Sequence, residues 1–200
     1  MAQGTILELN APSDPVQHVR AVLTSYLRRH PEDAGRLGDL IGRLRSDPEG
    51  LFDRSCMKGH VTTSALLLSP DMRRVLLVDH VALGRLLQPG GHYETVGTLI
   101  EEAVKEATEE TGAEDPVALN EGRPIDVDTH VIPANPRRRE GEHLHHDFLH
   151  LLRLAGTDGL TPEAGAIAGL AWRDLANLAT TKDRLGRAAR RAQSLVDRIG

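Results

Sequence analysis

Hydrophobic and polar positions repeat with two different periods along this chain, and the period changes near residue 58. Between residues 14 and 44, apolar side chains recur every three or four positions, which is typical of amphipathic helices. Asp14 is placed to cap the first helix, with Pro15 in its first turn, and a second helix is expected after Pro31. Residues 1–58 are therefore predicted to form a helical N-terminal extension, followed by a larger domain at residues 59–200.

The apolar stripes of this extension need a surface to cover. Packing on the rest of the same chain is the preferred prediction, because a helical apolar face usually finds the nearest core. A cover over one edge of a substrate cleft and a dimer contact remain alternatives.

Strand-like patterns begin at residue 59. Residues 59–68 and 74–80 are rich in Val and Leu and are separated by a Ser-Pro-Asp turn, so they predict two successive strands. At the other end of the chain, apolar residues recur with helical spacing over residues 182–199. A packing helix is predicted there, with a helix lying on a membrane surface as the less favoured alternative.

Residues 89–112 couple a glycine turn to a predicted helix with clustered carboxylates. Thr98 and Glu101 form a capping-box pattern, and Gly112 is placed where a left-handed residue would end the helix. A helix is therefore predicted from about Leu99 to Thr111.

Three glutamates of this helix, Glu106, Glu109 and Glu110, stand at positions i, i+3 and i+4 and so project from one face. Their mutual repulsion favours a bound cation. Oxygen ligands suit Mg²⁺ or Mn²⁺, which bridge protein carboxylates to phosphate groups. The spacing predicts a divalent-metal site for phosphate chemistry, with a solvated acidic helix face as the alternative.

The same segment resembles the Nudix box, G-x5-E-x7-R-E-U-x-E-E-x-G-U, in which U is an aliphatic residue. The residues that match it are Gly91, Glu106, Glu109, Glu110 and Gly112. Gly97 stands in place of the mid-box Glu, and its nearest acidic neighbours are Glu94 and Glu101. Lys105 replaces the Arg and supplies its charge without the bidentate hydrogen bonding of a guanidinium.

This resemblance implies a Nudix-like α/β/α sandwich with a mixed central sheet, covering about residues 59–198. It implies a hydrolase that cleaves a diphosphate linkage in a nucleoside diphosphate derivative or a related small metabolite. The metal ligands it implies are Glu106, Glu109, Glu110 and the carbonyl of Gly90, holding Mg²⁺ or Mn²⁺, and the catalytic residues are Glu109, Glu110 and Lys105. Residues 171–175 resemble the W-x-x-L segment that opens the last helix of the fold.

A proline-rich loop at residues 132–142 supplies candidate substrate ligands, Arg137, Arg138 and Arg139. Guanidinium groups can bind phosphate or carboxylate groups bidentately. A solvated charge run is the alternative.

Period-2 alternation after this loop predicts a strand with His143, His145 and Asp147 on one face. We expect these side chains to contact substrate or to support the carboxylate helix, with Asp147 or a loop residue, Glu140 or Glu142, completing the metal site. Ligation of a transition metal and a polar sheet face open to solvent are alternatives. His130, on the preceding predicted strand, is a weaker candidate.

Composition narrows the class of protein. The 200 residues carry a net charge of −5 and no basic stripes interleaved with aromatic residues, so no nucleic-acid polymer is expected as a partner. Cys56 is the single cysteine, which excludes an intramolecular disulfide and a cysteine-based zinc site. Without a signal-like segment or a run of 18 apolar residues, a cytoplasmic location and no membrane partner are expected. A homodimer remains open.

Three other functions stay open beside the hydrolase. A catalytically weakened Nudix-fold ligand-binding or regulatory protein is favoured by Gly97 and Lys105. An isomerase of an isoprenoid diphosphate is disfavoured, because Cys56 lies outside the expected active-site strands. A histidine-based metal enzyme unrelated to the box is the third. An active hydrolase is preferred because the E-x-x-E-E core is intact.

Overall fold

The computed structural model describes residues 12–136, 140–157 and 159–199. Its α-helices are α1 (Pro15–Arg29), α2 (Gly38–Ser46), α3 (Leu99–Thr111), α4 (Leu175–Ala179) and α5 (Arg184–Ile199). Its strands are β1 (His60–Leu68), β2 (Arg74–His80), β3 (Arg85–Leu87), β4 (Gly90–His92), β5 (Val117–Ala118), β6 (Asp126–Ile132), β7 (His143–Arg153) and β8 (Ile167–Asp174). Short 3₁₀ helices lie at Pro31–Ala34, Glu49–Leu51 and Asn120–Gly122.

Strand β1 lies at the centre of a mixed sheet. It pairs in parallel with β7, from His60 opposite His145 to Leu68 opposite Arg153, and antiparallel with β2 and β4. Strand β7 also pairs antiparallel with β5 and β6, and β2 with β3 and β8. The predicted α/β/α sandwich with a mixed sheet is confirmed.

All nine residues of β1 are buried, but its two faces differ. On one face, Ala65 and Leu67 belong to the same apolar cluster as residues of α3. On the other face, Leu66 and Leu68 pack with residues of α5. The first half of this second face carries polar side chains instead, those of His60, Thr62 and Ser64. Because alternate residues of a strand share a face, a polar patch and an apolar core lie end to end along β1.

The helical N-terminal extension packs on the same chain, as preferred from its apolar stripes. Apolar residues of α1 and α2 share one buried cluster with Val61, Leu99, Val127 and Phe148. Asp14 caps α1 by accepting a hydrogen bond from the backbone N–H of Gln17, as predicted. The extension and the sheet therefore share a core, and the domain boundary at residue 58 stays a prediction.

A buried arginine–aspartate network ties both ends of the described chain to β6. Its members are Tyr26, Asp33, Arg36, Asp126, Asp128, Arg187 and Arg191. Asp126 accepts hydrogen bonds from Arg36 and Arg187, each at 2.9 Å, and Arg191 lies 2.8 Å from Asp33. Because Asp126 belongs to β6 and Arg187 to α5, the network holds α1, α5 and the sheet together.

The segment resembling W-x-x-L differs from its prediction. Trp172 lies in β8, with the guanidinium of Arg74 packed 5.0 Å from the centre of its ring. Leu175 opens the short helix α4, and the last helix, α5, begins later at Arg184. Pairing of β8 with β2 extends the strand through this segment. Among the described residues, no helix has the length and apolar character needed to cross a membrane.

Candidate active site

Helix α3 has the bounds and caps that its sequence predicts. The side chain of Thr98 accepts a hydrogen bond from the backbone N–H of Glu101, and the Glu101 carboxylate accepts one from the N–H of Thr98 at 2.7 Å. Gly112 ends the helix in the left-handed conformation, with φ of 66°. The capping box and the C-terminal glycine are confirmed, and they fix where the glutamates of α3 project.

The two glycines of β4 bring backbone directly against the acidic face of α3. A Cβ atom on Gly91 would lie 2.5 Å from the carboxylate of Glu106, and one on Gly90 would lie 2.5 Å from Cβ of Ser64. The backbone N–H of Gly90 donates a hydrogen bond to Glu110 Oε2 at 3.1 Å. A side chain at either glycine would therefore displace β1 or the carboxylates.

Glu106 and Glu110 are partly buried carboxylates with strongly shifted protonation. Burial raises the pKa of Glu106 to about 7, and the charge of Glu109 adds to the rise. Burial also raises the pKa of Glu110 to about 7, against the hydrogen bond from Gly90 and with repulsion from Glu106. Glu109 is more open to solvent, with its side chain 53% exposed. These carboxylates lack sufficient positive charge nearby, so a divalent cation with a preference for oxygen ligands fits the donor set.

Lys105 bridges the glycine loop and the helix. Its Nζ lies 3.0 Å from Glu94 Oε2 and 4.0 Å from Glu109 Oε1. The hydrogen bond with Glu94 raises the pKa of Lys105. The lysine thus brings positive charge to Glu109 rather than holding Glu106 by a forked pair of hydrogen bonds, and its catalytic role stays a prediction.

Glu102 is a site residue that the sequence analysis missed. The residue is 1% exposed, and its carboxylate accepts hydrogen bonds from the backbone N–H groups of Glu94, Val96 and Gly97, at 2.6, 2.9 and 3.1 Å. It therefore anchors the loop in which Gly97 replaces the acidic residue of the box. Its spacing of four residues before Glu106, on the same helix face, was the available signal.

A cavity of about 470 Å³ joins α3 to the histidine-bearing end of β7. Predicted site residues at its lining are Gly90, Glu106, Glu110, His143, His145 and Asp147. Glu140 and Glu163 also reach it, as do three arginines that were not predicted, Arg54, Arg85 and Arg184. Glu142 is exposed, and it and Glu109 lie outside the lining. Tertiary packing alone brings these arginines to the cavity, because they come from three separate segments.

The polar face of β7 is buried, so the alternative of a sheet face open to solvent is wrong. Asp147 accepts hydrogen bonds from Thr62 Oγ1 at 3.0 Å and from Ser64 Oγ at 2.7 Å. Gln88 Nε2 lies 3.4 Å from the same carboxylate. The alternation that placed His143, His145 and Asp147 together is visible in the structure, and β1 supplies the neutral donors that hold Asp147.

Next to Asp147, β1 and β7 assemble a histidine cluster consisting of His60, His143 and His145. Ring centroids in the cluster are 4.7 to 5.1 Å apart, and His92 lies beside it. Burial, reinforced by the other histidines, lowers the pKa of His145 to about 2 and that of His92 to about 4. Burial and the neighbouring His143 lower the pKa of His60, and the backbone of Cys56 partly opposes this change. Neither ring nitrogen of His60 has a hydrogen bond of normal geometry.

The predicted substrate ligands Arg137, Arg138 and Arg139 lie outside the described residues. The residues that flank them, Asn135 and Glu140, form an antiparallel bridge and line the cavity. The two ends of the arginine loop are therefore at the cavity.

Comparisons with known proteins agree with this geometry. No family model matches the chain. A protein of Lactococcus lactis subsp. cremoris (strain MG1363), named as a probable DHNTP pyrophosphohydrolase, is 29% identical over 141 residues, which cover 70% of this chain and 78% of that protein. The structure of a Nudix-family hydrolase from Clostridium perfringens is similar with a TM-score of 0.50 and 21% identity, covering 70% of this chain and 98% of that one. The structure of an Ap4A hydrolase from C. elegans is similar with a TM-score of 0.50 and 12% identity, covering 68% of this chain and 97% of that one.

The mixed sheet, the glycine turn and the carboxylate helix together form the fold that these solved Nudix-type structures share. The chain is thus similar to Nudix hydrolases in both sequence and fold, and the resemblance predicted from the box is confirmed. Enzymes of this class generally use a divalent metal, which the acidic face of α3 is suited to hold.

Proposed function

We propose that the chain is a divalent-metal-dependent hydrolase that cleaves a diphosphate linkage in a nucleoside diphosphate derivative or a related small phosphorylated metabolite. The observation that supports this most strongly is the pair Glu106 and Glu110, partly buried at one cavity with the pKa of each raised to about 7. A bound cation would favour the charged form of both carboxylates at neutral pH, and the cavity that they line has space for one.

The metal-binding residues in this proposal are Glu106, Glu109, Glu110 and the carbonyl of Gly90, with Mg²⁺ or Mn²⁺ as the ion. When bound, the ion would neutralise charge on the phosphate oxygens and lower the pKa of a water molecule. Gly90 also positions Glu110 through its N–H group. Lys105 keeps positive charge beside Glu109 and ties it to the loop through Glu94.

The general base that accepts the proton of the attacking water is proposed among glutamates at this site. Glu109 and Glu110 are the helix candidates. Among the loop residues, Glu140 and Glu163 reach the cavity, whereas Glu142 does not. The backbone N–H of Glu163 donates a hydrogen bond to the Glu110 carbonyl at 3.2 Å, which places its loop beside the carboxylate helix.

Recognition of the rest of the substrate is assigned to the opposite side of the cavity. His143, His145 and Asp147 offer neutral and acidic polar groups there, while the nearby arginines Arg54, Arg85 and Arg184 offer positive charge. Arg137, Arg138 and Arg139 are also proposed to bind the substrate, as predicted from the sequence. A cytoplasmic location and a possible homodimer stay predictions.

Two contacts argue against the alternative of a catalytically weakened ligand-binding protein. Glu102 anchors the loop where the box lacks its acidic residue, and Lys105 keeps a charge beside Glu109. Both departures from the family pattern are therefore compensated locally, which favours an active enzyme.

The test is phosphate release, coupled to a phosphatase, from a panel of phosphorylated compounds with Mg²⁺ or Mn²⁺. The panel holds nucleoside triphosphates, nucleotide sugars, ADP-ribose, Ap4A and DHNTP, the last two because relatives or neighbours are named for them. Turnover of one compound by the wild type should disappear in Glu106→Gln and persist in Glu114→Gln, a matched change at an exposed residue.

If the wild type releases no phosphate from any compound in the panel but still binds Mg²⁺, the proposal of a hydrolase is contradicted and the ligand-binding protein is favoured. Equal turnover by Glu106→Gln and by the wild type would instead contradict the proposed metal site.

A further inference from the structure

We infer that His60, His143 and His145 bind a first-row transition metal ion of the Zn²⁺ type, at a second site in the cavity that is separate from the carboxylate helix. Each histidine offers one ring nitrogen, and these three atoms lie within 4.8 Å of one another. Nε2 of His143 and Nε2 of His145 are 3.2 Å apart. Two nitrogens bound tetrahedrally to Zn²⁺ at 2.0–2.1 Å are about 3.3 Å apart, so this pair already has the required spacing.

Strand pairing fixes the position of the third ligand. The parallel register of β1 and β7 puts His60 directly opposite His145. His143 lies two residues before His145 and so shares its face of the sheet. Three histidines therefore converge from two adjacent strands, whose pairing over nine residues makes the cluster rigid.

The ring nitrogens of His60 are buried without a well-formed hydrogen bond to the described part of the chain. The residue as a whole is 1% exposed. A buried imidazole in this state costs free energy, because water no longer satisfies its polar atoms. Coordination of a metal ion by one ring nitrogen would recover that cost.

His143 already has the supporting contact that metal-binding histidines usually make. Its Nδ1 lies 2.8 Å from the carbonyl oxygen of Gly141. A carbonyl can only accept, so Nδ1 donates, and the lone pair of His143 is left on Nε2, the atom facing His145. A backbone carbonyl in this role fixes the tautomer and the ring orientation of a ligand.

The ligand type separates this site from the carboxylate site. Three imidazoles suit Zn²⁺, Co²⁺ or Ni²⁺, whereas Mg²⁺ prefers the oxygen ligands of Glu106 and Glu110. His60, His143 and His145 all line the cavity, so a metal ion held by three of them keeps a coordination position open toward it. That position would take a water molecule or an oxygen atom of the substrate.

The competing account is a hydrogen bond between His143 and His145, with a proton in place of the metal. The two accounts are distinguished by binding alone, and the answer does not depend on whether the enzyme hydrolyses any compound in the panel.

The experiment uses the full chain, stripped with EDTA and then titrated with Co²⁺ in excess Mg²⁺, which occupies the carboxylate site. One equivalent of Co²⁺ should bind with the strong visible absorption of low-coordinate Co²⁺, and Zn²⁺ should displace it. Octahedral Co²⁺ on carboxylate oxygens absorbs only weakly, so the spectrum identifies the ligands. Absence of stoichiometric binding or of this absorption in the wild type would overturn the inference, whatever the variants do.

Variants then locate the site. His60→Gln and His145→Gln should weaken Co²⁺ binding by at least about 10- to 100-fold, the loss that even outer partners of a ligand produce. His146→Gln is the matched control, because His146 is adjacent on β7 but faces the other side, with Nδ1 3.0 Å from Thr129 Oγ1. Glu106→Gln should also keep the absorption. Retention in His145→Gln together with loss in Glu106→Gln would assign the metal to the carboxylates and overturn the inference.

Discussion

The arginine–aspartate network and the cavity both bury carboxylates, and they differ in what surrounds each one. In the network, Asp33 and Asp126 lie among three guanidinium groups, those of Arg36, Arg187 and Arg191. In the cavity, Glu106 and Glu110 face each other and Glu109 with little compensating charge. The same type of side chain is stabilised in one region and left unpaired in the other.

Protonation reports this difference. Burial alone would raise the pKa of Asp33, but hydrogen bonds from Arg36, Tyr26 and Arg191 outweigh it and hold that pKa well below its ordinary value. For Glu106 and Glu110, burial wins and the pKa rises to about 7. The aspartates paired with arginines hold helices and strands together, whereas carboxylates without such partners are typical of a site that binds a ligand from outside the chain.

Neutralising the network should have the largest effect. Asp126→Asn leaves Arg36, Arg187 and Arg191 without their shared carboxylate, and breaking a buried pair in this way costs about 3–5 kcal/mol of unfolding free energy. Urea denaturation followed by circular dichroism measures it. Asp47→Asn is the control, because Asp47 is 45% exposed and its pairing with Arg43 is worth about 1 kcal/mol or less. Equal losses in the two variants would contradict the assigned role of the network.

Neutralising the cavity should have the opposite effect on stability. Glu110→Gln is expected to lower kcat/KM by about 100- to 1,000-fold, the range seen when one electrostatic stabiliser is removed. The same change removes repulsion from Glu106, so the metal-free variant should unfold at no lower temperature than the wild type at pH 8. Coupled phosphate release and thermal denaturation in EDTA measure the two quantities. An unchanged kcat/KM, or a marked loss of metal-free stability, would contradict the comparison.

Glu102 sharpens the comparison, because burial raises the pKa of this acidic residue of α3 while three backbone N–H groups oppose the rise. Glu102→Gln replaces a charged acceptor of three N–H groups by a single amide oxygen, which is expected to cost about 1–3 kcal/mol. Thermal denaturation measures it beside Glu114→Gln, which should be neutral. If Glu102→Gln and Glu114→Gln unfold at the same temperature, the stability of the loop does not depend on the Glu102 carboxylate.

The smallest expected effect is a dependence of metal-free stability on pH. The folded-state pKa of Glu106 and Glu110, about 7, exceeds the ordinary value of 4.5, so their contribution to stability is full below about pH 4.5 and is lost as pH rises through 7. Histidines with a lowered pKa, such as His92, act in the opposite direction, but only below their ordinary value of 6.5.

Between pH 6.5 and 8 in EDTA, the wild type should therefore lose stability relative to the double variant Glu106→Gln, Glu110→Gln. Mg²⁺ should restore more stability at pH 8 than at pH 6.5. If the unfolding temperatures of the two proteins, measured by differential scanning calorimetry, change in parallel with pH, the pKa values of Glu106 and Glu110 are not raised in the folded state.

Local patterns in the sequence were sufficient for α3 and its caps, because a capping box and a C-terminal glycine involve residues within one turn. Alternation also placed His143 and His145 on one face of β7. It did not reveal that His60 joins them, since this depends on the parallel register between distant strands. Glu102 was missed for a similar reason, because its partners are backbone groups of a loop.

Trp172 shows tertiary structure overriding a local resemblance. Its segment was expected to open the last helix, yet pairing of β8 with β2 keeps it extended. The three arginines at the cavity, Arg54, Arg85 and Arg184, belong to no shared motif, and only the folded chain collects them.

The parallel pairing of β1 with β7 also affects how the chain folds. Thr62 and Asp147, hydrogen-bonded across these strands, are 85 positions apart in the sequence. Closing so long a segment costs chain entropy before any contact compensates for it, and parallel pairing of this kind slows folding. The histidines that β1 and β7 share therefore come together only once this long segment of chain has closed.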